Sequence, residues 1–283
     1  ALLTHAICRL VKEHVTVVLS GDGGDECFGG YPRYQGVRLM QTWRNAPRFA
    51  RQCGDQLLRL VPEAHDGRYF FRRLREFSAA SLLNEADVYP LWLTTFTPSQ
   101  RKALYSGDMQ SALSGRNAWE PLHAWALESG ETDPAARAMY LDLHAFLPNN
   151  VLQYGDRMSM AHGLEVRVPY ADRAMVEAMA ALPASAKLSH GVTKKVLREA
   201  MRERLPKDVL RRKKAGFNPP MGVWLTGSLR PLVEDTLSVP SVTARGWFDP
   251  GCVWSMWQDH VSGRRDHTWH LWALVLLEAW ARR

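Results

Sequence analysis

Apolar residues recur at three- and four-residue spacing along most of the chain, the period of helices that bury one face. Residues 1–14 read as an amphipathic helix with Leu2, Leu3, Ala6, Leu10 and Val11 on one side. Further helical patterns cover 33–44, 48–60, 69–77, 134–147, 172–181, 193–204, 220–237, 250–261 and 267–282, with prolines near most of their ends. Residues 62–135 carry the weakest pattern and are expected to hold long loops. One segment breaks the rhythm. Val15-Thr16-Val17-Val18-Leu19 is a β-branched apolar run of the kind a buried parallel strand uses. Ser20 to Gly30 follows as a loop with five glycines and three acids. A single strand makes no sheet. Either further strands in this sequence are too irregular to read, or they lie outside it; the opening at Ala1 directly on a helical pattern favours the second.

Composition narrows the class. The 283 residues are 46% apolar and 23% charged, as in globular proteins, which excludes a disordered or fibrous chain. The net charge of +7 is spread along the sequence and does not point to nucleic acid. The run Arg211-Arg212-Lys213-Lys214 lacks interleaved aromatics, so one phosphate-facing lysine accounts for it better than a nucleic-acid surface. Cys8, Cys27, Cys53 and Cys252 form no C-x-x-C pair and read as reduced thiols of a cytoplasmic protein. No apolar run approaches the ~18 residues of a membrane span, and Arg9, Lys12 and Glu13 interrupt any signal-peptide layout. His267 and His270 lack a third metal ligand, and Asp266 reads as the cap of the last helix.

Two stretches carry candidate chemistry. In the first, the strand runs into Ser20-Gly21-Asp22-Gly23-Gly24-Asp25-Glu26. Open α/β sheets place ligands at this end of a strand, and glycines let a ligand approach the backbone. Three carboxylates so close in sequence call for a cation or a cationic substrate. Two readings stay open: a nucleotide–magnesium loop, or a glycine-rich turn with a solvated acidic tip. The spacing matches neither a Walker A loop, a Rossmann fingerprint nor an EF-hand. In the second stretch, Asp156, Arg157 and His162 are candidates for polar contacts near a ligand, while Met158, Met160 and Leu164 are expected to face a core. Glu165 and Arg167 flank Val166 in an extended segment, so they share a face, where a buried structural ion pair is expected.

The segment Ser20–Tyr31 (SGDGGDECFGGY) resembles a signature of the glutamine-hydrolysing asparagine synthetase family. Asp156–Tyr170 (DRMSMAHGLEVRVPY) resembles a second block of that family, and Thr193-Lys194, Leu197-Arg198, Leu205-Pro206 and Arg212–Phe217 follow in order. The resemblance implies an α/β parent domain of the ATP-pyrophosphatase, adenine nucleotide alpha hydrolase-like type. Residues 1–283 would be a partial synthetase domain: 1–30 a sheet edge with the ATP and magnesium loop, and 31–283 mainly helical. The implied chemistry is adenylation of the aspartate side chain by ATP with Mg2+, followed by attack of ammonia drawn from glutamine.

By position, the resemblance implies ATP contacts at Ser20, Gly21, Gly23 and Gly24, and a metal-binding Asp25. It implies catalytic roles for Asp22 and Lys214, the latter neutralising charge on the nucleotide. Glu26, Tyr31, Asp156, Arg157, Glu165, Arg167 and Lys194 are implied as supports. The expected partners are small-molecule substrates, without nucleic acid or membrane, and a homodimer is compatible with the family. Asp22 stands where the asparagine-making members often carry glutamate, and Asn149-Asn150 where acids are common. The acceptor therefore stays open between aspartate and another carboxylate, as in the β-lactam synthetases, and a non-catalytic scaffold is a third reading. The family's Ser-Gly-Gly-x-Asp-Ser phosphate loop and the glutaminase cysteine do not occur in this sequence, so the chain by itself is expected not to turn over.

Overall fold

The computed structural model describes residues 1–60, 70–189, 191–212 and 219–282. Apolar residues at three- and four-residue spacing form helices nearly everywhere, and extended structure is confined to short pieces. Strand β1 (Val17–Leu19) pairs in parallel with β2 (Glu165–Arg167), with Val18 opposite Val166. The chain divides into two units.

The first unit comprises 1–46, 85–89 and 119–217. Helix α1 (Leu2–Lys12) packs along Gln153–Met160 and buries Cys8. Its expected apolar face is only partly covered, because Leu2 and Leu10 are exposed. Lys12 Nζ donates to Gly163 O at 2.6 Å, tying α1 to the turn before β2. The loop expected over 20–30 contains a short helix, α2 (Gly24–Phe28). Helix α3 (Pro32–Arg44) follows, with its proline in the first turn, where a missing N–H costs nothing. The helix expected over 134–147 starts as α-helix at Pro134–Leu141 and continues as a π-helical segment, Asp142–Leu152. Pro148 lies inside it and has no N–H for an i−4 bond, which favours the wider winding.

The second unit comprises 47–84, 90–118 and 218–283. Its core is an apolar cluster around Leu225, Val233, Val253 and Leu271, all essentially without solvent contact. The pattern over 220–237 is two helices, Met221–Thr226 and Arg230–Thr236, because Pro231 opens a new helix rather than continuing the old one. The N-cap position of the last helix is His267, not Asp266 as expected; Asp266, one residue earlier, accepts from Thr268 N at 2.9 Å through its Oδ1.

The expectation of long loops over 62–135 is corrected. Among the described residues, this region holds Phe70–Ala80 and four helices of six to nine residues, Glu85–Leu93, Pro98–Leu104, Gly107–Ala112 and Glu120–Glu128. Helices this short give too few apolar repeats to register as periodic. Side-chain caps mark two of the four: Thr97 and Gln100 form a reciprocal capping box, and Ser106 accepts from Met109 N. No helix among the described residues is long and apolar enough to cross a membrane.

Candidate functional site

The end of β1 is fixed by its neighbour, since Ser20 N donates to Arg167 O at 2.8 Å. Ser20 Oγ then donates to Asp22 Oδ2 at 2.7 Å, closing a tight turn. Gly23 follows with φ +80° at the start of α2, a conformation glycine adopts without a Cβ clash. Gly24 lies under Tyr170, where a Cβ would meet the ring at 3.0 Å. Gly29, at φ +71°, ends the helix. The glycines expected to bring backbone close to a ligand thus also build the turn.

The three acids do not gather around one point. Asp22 is held by Ser20. Asp25 Oδ1 lies 2.9 Å from Lys194 Nζ. Glu26 is buried at 1% exposure and accepts from Tyr31 Oη at 2.8 Å. Burial raises the Glu26 carboxyl above its ordinary range, against the opposing Tyr31 hydrogen bond. Burial, then the Glu26 carboxylate, raises the Tyr31 hydroxyl in turn. Of the three, Asp25 meets a cationic side chain, the ammonium of Lys194. Lys194 is the one non-glycine residue with positive φ among the described residues, at +54°. Such a conformation costs of order 1–3 kcal/mol and persists where surrounding structure holds it. Gly30 leaves room for the pair, because a Cβ there would fall 1.9 Å from Asp25 Oδ1 and 2.5 Å from Lys194 Cε.

A pocket of about 590 Å³ opens beside this turn, lined by Leu19, Asp22, Gly155, Asp156, Arg167 and Asp172 among others. Asp22 and Asp156 both line it. Arg157 is exposed and does not line it. Glu165 and Arg167 pair at 2.7 Å as expected, but their side chains are 54% and 66% exposed, so the expected buried pair is a surface pair. Such pairs contribute little to stability. Met160 is likewise exposed, whereas Leu164 is buried. Lys214, with Lys213 and Ala215 to Phe217, lies outside the described residues.

The sequence reading missed a buried polar assembly next to the turn. Asp142 has no exposed surface. Its Oδ2 accepts from Tyr34 Oη at 2.5 Å, Tyr89 Oη at 2.6 Å and Arg33 Nη2 at 2.6 Å. Burial raises the Asp142 carboxyl, with Arg33 opposing. Arg33 stays charged because Tyr89 and Asp142 outweigh its own burial. In sequence, Asp142 was one polar position in a helical pattern, and nothing linked it to Arg33 beyond the run Tyr31-Pro32-Arg33-Tyr34. Cys27 is buried and its thiol donates to Tyr170 O at 3.2 Å; burial, then the Glu26 charge, pushes that thiol up to about 11.

Among the described residues, no group of three or more His, Cys, Asp and Glu is arranged to hold a metal ion. Magnesium bound with a nucleotide needs only one or two carboxylates, with phosphate oxygens and water completing the shell. Asp25 is one such carboxylate, and here its Oδ1 lies 2.9 Å from Lys194 Nζ.

The family description "Asparagine synthase" matches residues 1–282. A putative glutamine-hydrolysing asparagine synthetase of Mycobacterium bovis is 31% identical over 97% of this chain and 40% of its own length. Asparagine synthetase 1 of Bacillus subtilis is 26% identical over 99% of this chain and 42% of its own length. A Gibberella zeae protein named amidase chry2 is 23% identical over 88% of this chain and 38% of its length. The chain thus spans about two fifths of the length of these curated relatives. No solved structure matches the chain. The match across nearly every residue, with the strand–turn–helix motif intact, places the chain in the asparagine synthase family.

Proposed function

We propose that this chain forms the phosphate-facing side of a site for ATP-dependent amidation of a carboxylate. The Lys194–Asp25 pair at a glycine-built strand–helix turn carries the reading. In the reaction, an acceptor carboxylate oxygen bonds to the α-phosphorus of ATP, and pyrophosphate leaves with the electron pair of the broken P–O bond. Ammonia then attacks the acyl carbon, AMP leaves, and the surplus proton passes to solvent. Ser20, Gly21, Gly23 and Gly24 offer small side chains and backbone to the nucleotide. Lys194 donates to phosphate oxygens as negative charge shifts to the leaving pyrophosphate, the positioned electrostatic stabilisation such steps need. Asp25 would hold a magnesium ion accompanying the nucleotide, and the ion would supply further neutralisation. Lys214 is proposed as a second cation. Asp22, lining the pocket with Asp156, is assigned to the acyl-adenylate step.

The β1–β2 pair suits an edge of a larger parallel sheet of the ATP-pyrophosphatase type, since Leu19 is 73% exposed and parallel strands are usually covered on both faces. Aspartate is the acceptor favoured by the synthetase relatives. The amidase name of a relative and the shorter Asp22 support a second reading, amidation of another carboxylate. In the gene product that carries this chain, Lys194→Met is expected to lower acceptor-dependent ATP–pyrophosphate exchange about 10²-fold or more, with partial recovery in Lys194→Arg. Exchange equal to wild type in Lys194→Met would remove the phosphate role. Screening acids for AMP release separates the two acceptor readings.

A further inference from the structure

Tyr31 connects the turn to the buried assembly. Its hydroxyl holds Glu26, and its ring is boxed on three sides. The Arg33 guanidinium carbon lies 4.1 Å from the ring centroid. Tyr34 meets the ring edge-on at 5.7 Å, and Phe146 does so at 5.8 Å with planes at 90°. Two of these walls, Arg33 and Tyr34, are bound by Asp142, and Phe146 is reached through Arg33. Asp142 is ion-paired with Arg33 at 2.6 Å and accepts from Tyr34 at 2.5 Å. Phe146 stands one turn further along the π-helical segment that Asp142 begins. Arg33 also lies 4.6 Å from the Phe146 ring, which locks two walls together.

Holding a charged pair in the interior is costly, and an apolar substitute often gives equal or better stability. Stability alone therefore gives weak grounds for placing it here. The arrangement instead restricts Tyr31 to one orientation, and through it Glu26, the residue after Asp25. We propose that Asp142 and Arg33 are positioning residues: by boxing Tyr31 they fix the Glu26 carboxyl, and with it the α2 turn that presents Asp25 to Lys194. The structural claim concerns α2 itself. Its catalytic consequence rests on the adenylation reading above.

Backbone hydrogen exchange in α2 tests the structural claim without any nucleotide. The Cys27 amide donates to Gly23 O at 2.9 Å and the Gly30 amide to Asp25 O at 2.8 Å. In Tyr31→Phe and Arg33→Met, both amides are expected to exchange about tenfold faster, the size of one lost buried hydrogen bond, while amides of Thr268–Ala281 stay at wild-type rates. Arg33→Lys should recover part of the protection. The double variant should exchange no faster than Arg33→Met alone, because both act through one contact. Unchanged exchange in Tyr31→Phe, or additive effects in the double variant, would overturn the relay. Should Arg33→Met not fold, Tyr31→Phe decides alone, since it leaves the ion pair intact.

In the full gene product, the same variants are expected to lower kcat of ATP–pyrophosphate exchange about tenfold with KM for ATP within about twofold, as for an interaction realised in the transition state. A raised KM at constant kcat would contradict positioning. Faster α2 exchange together with a wild-type protein that performs no nucleotide chemistry would sink the adenylation reading and leave the relay standing.

Discussion

The two units solve the problem of burial in opposite ways. In the second, an apolar cluster fills the centre, and the carboxylate of Glu278 sits at its border between Arg245 at 3.1 Å and Arg282 at 3.1 Å. The arginine bonds, Arg245 first, hold that carboxyl below its usual range. In the first, Glu26 and Asp142 are carried inside, where burial drives their carboxyls upward. One unit uses charge to finish a core. The other accepts unfavourable burial to fix a turn, as functional sites often do.

The largest expected effect tests the apolar half. Leu271 is fully buried in the cluster, so Leu271→Ala should cost about 2–5 kcal/mol through lost transfer and a residual cavity. Chemical denaturation followed by tryptophan fluorescence reads the loss. Hydrogen exchange in α2 should not change, because the cavity lies in the other unit. Accelerated α2 exchange in this variant would mean that the two units do not keep separate accounts of stability.

Gly30→Ala addresses the other half. Its Cβ would overlap Asp25 Oδ1 and crowd Lys194 Cε, so the pair must part. Overpacking of this kind costs about 1–3 kcal/mol. The expected signature is loss of ATP binding by calorimetry with the second unit's stability preserved. Retained ATP affinity would show that the Asp25–Lys194 contact is dispensable for the nucleotide.

What the sequence made legible follows from how local each feature is. The β1 run and the glycine turn are written in neighbouring residues, and so they could be read. The pairing of Asp25 with Lys194, and of Arg33 with Asp142, joins distant segments through tertiary packing, which no periodicity reports. The three acids looked like one cluster because they are adjacent in sequence. The turn at Gly23 and the helix that follows send them to different partners. The short helices between residues 84 and 129 escaped because six to nine residues hold too few apolar repeats to register as a period. The buried Glu165–Arg167 pair failed for a related reason: alternation assigned both to one face but not whether that face is covered.

The finest contrast lies in pH. Glu278 has a folded pKa below its unfolded value of 4.5. Unfolding therefore takes up protons as pH falls, and the contribution is present above about pH 4.5 and lost below it as pH drops through the folded value. Asp133, which caps Pro134–Leu141 and pairs with Arg38, behaves in the same sense below its unfolded 3.8. Glu26 and Asp142 have the opposite sign. Their folded pKa values lie above 4.5 and 3.8, so the native state binds the extra proton, and stability falls as pH rises from those values through the folded ones. Hydrogen exchange followed from pH 3 to pH 7, corrected for the intrinsic rate, should thus show Thr268–Ala281 gaining protection with pH, while the α2 turn loses some from about pH 4.5 upward. Glu26→Gln should flatten the α2 slope and leave the other untouched. If α2 gained protection with rising pH in wild type, Glu26 would be a stabilising carboxylate, and the contrast between the two units would collapse to one of packing alone.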